Sequence, residues 1–425
     1  MKSKNKRKRG PTSDLHHDPY APLRFRDFRL LLVGGFVASF GDQMLSFAVG
    51  WELWQRTHNE FNLGLVGLAQ VIPVLLFSLP AGHIADQYNR KRIVLIAQCL
   101  LALCALSLAL LSFLKGPLLL IYLCLVGIGM ARSLNTPAAS TLLPQTVPPA
   151  LFSKAATWSS STRQLASITG PALAGLFVAL TDSVTLLYAL DAVAALTFLT
   201  LVLQMKSQPL PLARKAATLE SLREGIRFIR NTKVILAAIT MDMFAVLFGG
   251  AVALMPVYAT DILQVGSKGL GVMRAAPSIG ALLMAVTLAH LPPFRNAGRT
   301  LLVAVSGFGM ATIIFGLSTS FGLSVLMLFL LGAFDNISVV IRNTLILTYT
   351  PDEMRGRTSA INSIFISASN ELGGFESGTA AALFGPVASV VGGGVGTILV
   401  AVAVAGTWPE MRGLKTLDAP AAAGD

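Results

Sequence analysis

The sequence predicts an all-α integral membrane protein in which twelve transmembrane helices form two pseudo-symmetric six-helix bundles. Three observations predict it: the scarcity of charge, the recurrence of long apolar runs, and the positions of the basic residues. Of 425 residues, 54% are hydrophobic and only 13% are charged, where a soluble domain carries roughly 25% charged residues. Mean hydropathy is +0.68. The 33 Lys and Arg outnumber the 21 Asp and Glu, leaving a net charge of +12. This composition excludes a disordered chain and an ordinary cytosolic enzyme, and it leaves a chain whose charges are confined to a few loops.

Taken in order, residues 1–28 form a basic tail with Lys2, Lys4, Lys6, Arg7, Lys8 and Arg9. No apolar stretch follows these charges directly, so a cleaved signal peptide is not expected and the first apolar run is read as a retained span. Runs of about 20 apolar residues are long enough to cross a bilayer. Six of them, at 29–51, 64–83, 93–113, 118–139, 156–180 and 184–205, make a first bundle over 29–205. A polar interruption at 206–233 follows. Its Leu219, Leu222, Ile226, Phe228 and Ile229, interleaved with Arg223, Arg227 and Arg230, predict an amphipathic helix lying on the membrane surface. Six further runs, at 234–259, 269–290, 300–318, 322–347, 358–383 and 387–408, make a second bundle over 234–408, and residues 409–425 form a tail. The runs at 156–180 and 358–383 are diluted by Ser, Thr, Asn and Glu, which requires those helices to face protein or water rather than lipid.

An even number of spans places both termini on one side. That side then carries 26 of the 33 basic residues, three lie opposite and four within spans. The basic side is expected to be cytoplasmic. The excess of positive charge is thus an orientation signal, and no nucleic-acid partner is implied. Cys99, Cys104 and Cys124 all lie in apolar runs without a Cys-x-x-Cys pair, so no metal or disulfide framework is expected. No cofactor is implied, and the absence of a Gly-x-x-x-x-Gly-Lys-Ser/Thr segment argues against an ATP-driven pump.

The halves carry traces of duplication. A shift of 203 residues superimposes Pro148 on Pro351, Gly170 on Gly373 and Gly175 on Gly378. A shift of 207 lays the segment beginning at Gly82 over that beginning at Ala289, with His, Asn and the final Arg shared. Duplicated halves are the mark of carriers that alternate around a midplane site.

The most specific motif is the loop Gly82-His83-Ile84-Ala85-Asp86-Gln87-Tyr88-Asn89-Arg90-Lys91-Arg92. A Gly at the helix end permits close approach, and Asp86 followed by Arg90, Lys91 and Arg92 can form a latch that breaks when the bundles separate. Asn89 suits a tight turn with a left-handed conformation. This loop resembles the signature Gly-x-x-x-Asp-x-x-x-Arg-Lys/Arg of the major facilitator superfamily, with Gln87 and Asn89 as departures. In the second half Pro293 stands where Asp86 would fall, which makes the latch asymmetric. Phe28-Arg29, Ser39-Phe40-Gly41-Asp42-Gln43, the stretch from Arg132 through Pro137 to Pro144, and Thr350-Pro351 through Arg355 and Arg357 resemble bacterial exporters of the enterobactin exporter group. Ala166 through Gly170, Pro171 and Gly175 resembles the span-five motif of superfamily antiporters, with Ala166 and Ala174 replacing two glycines. The resemblance implies the major facilitator fold and transport of a small molecule.

Charges at bilayer depth cost about 2.5–3.5 kcal/mol or more, so each marks a candidate site. Asp42 in span one and Asp242 in span seven fall one helical turn apart under the 203 shift and are expected to face one cavity as proton-coupling groups, with Asp42 otherwise the structural partner of an intramembrane Arg. Arg132 and Asp335 align under the same shift and are expected to pair or to bind substrate, with Glu371 beside them. Glu371 and Glu376, five residues apart, cannot point along one line. Arg163 and Arg274 are read either as candidate sites like the other charges at bilayer depth or as simply reaching toward lipid headgroups. Trp51 and Trp54 are read as an aromatic belt, and Trp158, Phe244, Phe248 and Phe365 as packing or as platforms for an aromatic substrate.

The expectation is a monomeric secondary exporter of a siderophore-like or drug-like compound, exchanging it for protons among membrane lipids, and not an enzyme. Uptake or lipid flipping by the same fold, and a membrane sensor or partner that does not transport, are the alternatives.

Overall fold

The structure, a computed structural model, describes residues 18–206, 219–292 and 294–417. Side chains 81–87 lie outside the described residues. After a short 3-10 turn, the first six membrane helices are α1 (Arg26–Thr57), α2 (Glu60–Gln87), α3 (Arg90–Phe113), α4 (Leu118–Leu142), α5 (Phe152–Thr181) and α6 (Thr185–Leu203). A linker helix, α7 (Leu219–Asn231), leads to the second set. That set comprises α8 (Lys233–Phe248), α9 (Ala251–Val257), α10 (Gly266–His290), α11 (Ala297–Leu317), α12 (Phe321–Tyr349), α13 (Asp352–Phe384), α14 (Pro386–Thr407) and the short α15 (Pro409–Gly413).

Eleven segments are long and apolar enough to cross a membrane, with α8, α9 and the π-helical turn Tyr258–Ile262 counted as one. The twelfth is α13, whose 33 residues suffice in length but carry the Ser, Asn and Glu dilution expected at 358–383. Span seven is broken because Gly249 and Gly250 separate α8 from α9. A Cβ at Gly250 would meet the Ser377 Oγ at 2.5 Å, so the break is also where α13 approaches most closely.

Helices α1 to α6 pack among themselves, as do α8 to α14. Two extensive pairings join the bundles, α2 with α13 and α5 with α10, and α9 adds smaller contacts with α1 and α2. Both joints are lined with glycine. A Cβ at Gly378 would lie 2.6 Å from the Gly64 nitrogen, and one at Gly271 would lie 2.7 Å from the Pro171 carbonyl oxygen. Without a hydrophobic difference between lipid and side chain, helices hold together by such close backbone packing.

The two ends of the molecule differ. At the end carrying the basic loops, apolar packing falls into separate clusters. One is built from Leu31, Ile93, Val94, Ala138 and Phe198, and another from Met241, Leu301, Ile341 and Val404. At the far end a single core runs across both bundles, from Phe47, Leu53 and Trp54 to Met255, Tyr258 and Phe315. Trp54, 2% exposed, is no lipid-facing belt residue: its Nε1 donates to Thr260 Oγ1 at 2.7 Å and ties α1 to the π turn. Trp51 is half-buried and stacks on Phe47. Among the described residues, the packing is therefore closed at the far end and split at the basic end.

Local details depart from the sequence expectations in three places. Asn89 is extended (φ −62°, ψ 112°) and caps α3 through its side chain rather than adopting a left-handed turn, because its Oδ1 accepts the orphan Lys91 N–H at 3.0 Å. Helix α7 packs on α13 and α8, burying Ile229 against Ile235, Ile239 and Ile361, while Ile226 stays 53% exposed, so protein covers only part of its apolar face. Arg357 pairs with Glu224 across that contact. Of the cysteines, Cys104 is buried and Cys124 half-buried, whereas Cys99 is exposed on the outside of α3.

Candidate functional site

A cavity of about 380 Å³ lies between the bundles. It is built by α1 and α2 with Arg132 of α4 from one side, and by α8 to α13 from the other. Its apolar wall includes Leu45, Val49, Leu63, Val66, Val246 and Phe308, and its polar groups are Ser46, Gln70, Arg132, Arg274, Asp335, Asn370 and Glu371.

The best-connected polar group is Arg132. Its guanidinium pairs with Asp42 and donates to Gln70 Oε1, joining α4 to α1 and α2. The fork of the guanidinium suits this double engagement. Glycine makes the approach possible: a Cβ at Gly129 would stand 2.6 Å from the Gln70 carbonyl oxygen, and one at Gly41 would stand 2.6 Å from Asp191 Oδ1. Asp191 of α6 is buried behind Asp42, within electrostatic range of both Asp42 and Arg132. The Asp42 side chain is 46% exposed.

Asp242 behaves differently from the expectation that it shares a cavity with Asp42. It is sealed inside the second bundle with Arg342, with side chains 7% and 3% exposed, and its Oδ1 accepts from Ser338 at 3.4 Å. The reason is the neighbourhood: α8 packs closely on α12, α13 and α14, and the space beside Asp242 is a pocket of about 10 Å³ shared with Asp335 and Ser338. Arg132 and Asp335 do not pair. Arg132 is taken by Asp42, while Asp335 faces the cavity and makes no ion pair among the described residues. Glu371 lines the cavity, and Glu376 turns to Ser377, as their spacing requires.

Of the two readings of Arg274, the structure has the inward one: it lines the cavity, extending from α10 toward Ser46 of α1. Gln70 and Asn370 also belong to the site, and an amide in an apolar run has no distinguishing pattern; Asp191, a lone acid within span six, carries the same sequence signal as Asp42.

At the basic end, Arg90, Lys91 and Arg92 open α3, and Lys91 Nζ donates to the carbonyls of Leu203 and Met205 at 2.9 and 2.7 Å, capping α6 within the first bundle. The side chains of Gly82 and Asp86 lie outside the described residues, as does Pro293. In α5, Gly170 packs on α1, where a Cβ would meet the Gln43 Cβ at 2.6 Å, and Pro171 and Gly175 pack on α10. The motif thus lies at the joint between bundles. Trp158 donates to the Pro19 carbonyl at 3.1 Å, and Phe244 stacks on Phe248.

A twelve-span molecule in two glycine-jointed bundles, with a charged cavity between them, is the architecture of the major facilitator superfamily. The profile of its transmembrane secretion effector family matches residues 17–422. The chain belongs to that family. Among curated relatives, the enterobactin exporter EntS of Shigella boydii serotype 18 is 27% identical over 388 residues, covering 91% of this chain and 92% of that one. EntS of Escherichia coli O81 matches to the same extent. Among solved structures, a bacterial homolog of the human lysosomal transporter Spinster, inward-facing and occupied, has a TM-score of 0.71 at 14% identity, covering 93% of this chain and 99% of that chain. The nucleoside transporter NupG has a TM-score of 0.67 at 14% identity, covering 90% and 99%. These two likenesses concern the fold. The protein is a multi-pass membrane transporter of the major facilitator type.

Proposed function

We propose that the protein exports an amphipathic small organic compound, siderophore-like or drug-like, from the cytoplasm in exchange for protons. The observation that carries this reading is the Asp42–Arg132 pair at the edge of a cavity that both bundles build. A carboxylate held by a guanidinium has two ways to be neutralised, the guanidinium or a proton, and only the first ties α1 to α4. Protonation of Asp42 frees Arg132, whose other contacts are Gln70 and the cavity itself. Substrate and proton then compete through one residue, and each biases the equilibrium between the two access states. The match to enterobactin exporters over most of the chain supports export and a siderophore-like cargo.

The basic end faces the cytoplasm on this reading, with both termini inside a bacterial inner membrane, and the split at that end makes the conformation inward-open. The two moving bodies are residues 29–205 and 234–408, joined by the 206–233 linker. Asp242 assists coupling only when the second bundle admits water, while Asp335 and Glu371 contact substrate directly. The loop from Gly82 through Asp86 to Arg92 gates the cytoplasmic side, and the Gly170-Pro171-Gly175 joint serves as the pivot. The carrier works as a monomer among lipids.

The test uses inside-out vesicles and compounds that accumulate in cells lacking the protein. Accumulation in vesicles driven by a proton gradient, and abolished by an uncoupler, is the expected result. Binding without flux would sink the transport reading. Accumulation that ignores the proton gradient would sink the coupling.

A further inference from the structure

Among the polar groups of the central cavity, Arg274 stands apart. Arg132 is neutralised by Asp42, and Arg342 by Asp242 outside the cavity. Arg274 makes no ion pair among the described residues, its Nε is buried with no hydrogen-bond partner, and its one side-chain contact is a 3.4 Å approach of Nη1 to Ser46 Oγ. A Cβ built on Gly50 would stand 3.8 Å from its Nη2, so the guanidinium spans the cavity from α10 to the glycine face of α1.

The acids on the cavity wall do not answer it. A Cβ at Gly269 would lie 3.5 Å from the Phe321 ring and Gly332 packs on Pro277, so α12 runs beside α10 in the same direction. Asp335 lies three residues beyond Gly332 and Arg274 three before Pro277, which separates them by about 9 Å along the helices at 1.5 Å per residue. Glu371 of α13 lines the same cavity without bonding to Arg274. Moreover, a carboxylate can shed its charge by taking a proton, whereas a guanidinium stays charged. While the cavity is open, water serves Arg274. When it closes around a compound that water leaves, and an unpaired buried charge is costly. The compound itself must then bring the counter-charge.

We propose that Arg274 is the anion-recognition residue of this cavity, so that the exported compound carries a carboxylate or a comparable oxyanion on an apolar body. The body rests against Leu45, Val49, Val246 and Phe308, and the oxyanion takes the guanidinium edge facing α1. This rests on the transport reading and names its substrate class.

The test measures binding to the purified full-length protein in lipid nanodiscs, with three matched probes: 1-naphthaleneacetate, its neutral amide and 1-naphthylmethylamine. The native protein is expected to bind the carboxylate at least about tenfold more tightly than the amide, a preference equal to roughly 1.4 kcal/mol. Arg274→Gln is expected to bind acid and amide alike, with amide affinity unchanged. Arg274→Lys, which keeps the charge and loses the fork, is expected to retain part of the preference. Retention of the native preference in Arg274→Gln overturns the proposal. So does a native protein that favours the amide or the amine, or that binds none of the three. Proton-driven vesicle flux is a separate readout: flux without an anion preference rejects this inference alone, and absent flux rejects the transport reading.

Discussion

Substituting Thr260 with Val should unlock the far end of the molecule. Trp54 Nε1 donates to the Thr260 hydroxyl at 2.7 Å, and that hydroxyl also has the Pro256 carbonyl at 3.0 Å and Asp261 Oδ1 at 2.6 Å within reach as acceptors for its own proton. Val has the same shape but accepts nothing. With Trp54 2% exposed, its indole N–H would be left buried and unsatisfied, which costs about 1–3 kcal/mol. That cost falls on the closed far end alone, because separation of α1 from the π turn returns the indole to water. The equilibrium should therefore move toward the far-end-open state by about 5- to 150-fold. Spin labels at Asn59 and Thr319, in loops on either side of the closure, report it by pulsed EPR once the three cysteines are replaced. The far-open distance population should rise in Thr260→Val. In a Trp54→Phe background the same substitution should add almost nothing, since the donor is already gone. Unchanged distances in the single variant, or an equal shift in both backgrounds, would refute the argument.

Asp42→Asn should abolish proton-driven accumulation in vesicles while leaving substrate exchange at equal pH, a split that separates coupling from binding. Arg342→Met should lower stability by roughly 3–5 kcal/mol, because Asp242 would keep an uncompensated charge in a dry site; denaturation followed by Trp fluorescence measures it, and adding Asp242→Asn should recover most of the loss. Gly378→Val should prevent the α2–α13 joint from forming, since the new Cβ would meet the Gly64 backbone nitrogen at 2.6 Å and the Glu60 carbonyl at 2.8 Å; size-exclusion profiles in detergent should show loss of the monodisperse species.

The spans were legible in the sequence because the bilayer imposes a length and a composition on each one separately. Even the polar α13 announced itself, since its Ser, Asn and Glu residues only make sense facing protein. Single buried charges were legible for the same reason: Asp42, Arg132, Asp335 and Glu371 stand out against an apolar background. Their partnerships were not. Asp42 and Arg132 meet from helices 90 residues apart, and no periodicity on α1 or α4 encodes which of several acids the guanidinium takes. Asp242 looked equivalent to Asp42 by alignment, yet tight packing around α8 seals one while the other stays 46% exposed. Arg274 stood between two readings because a cation early in a span has the same pattern whether it points to headgroups or inward. The belt reading of Trp54 failed for the same reason: position along a helix was readable, the direction in which it faces was not.

The dilution of α13 also bears on how the molecule is made. A helix this rich in Ser, Asn and Glu gains little by entering lipid alone, and its main partner is α2, synthesised about as early as α13 is late. Until α13 arrives, the glycine face of α2 has no backbone to meet. One reluctant segment therefore inserts late, between helices already in place and with only α14 to follow, and a chain stalled before α13 would hold most of its spans but lack one of the two main joints between the bundles.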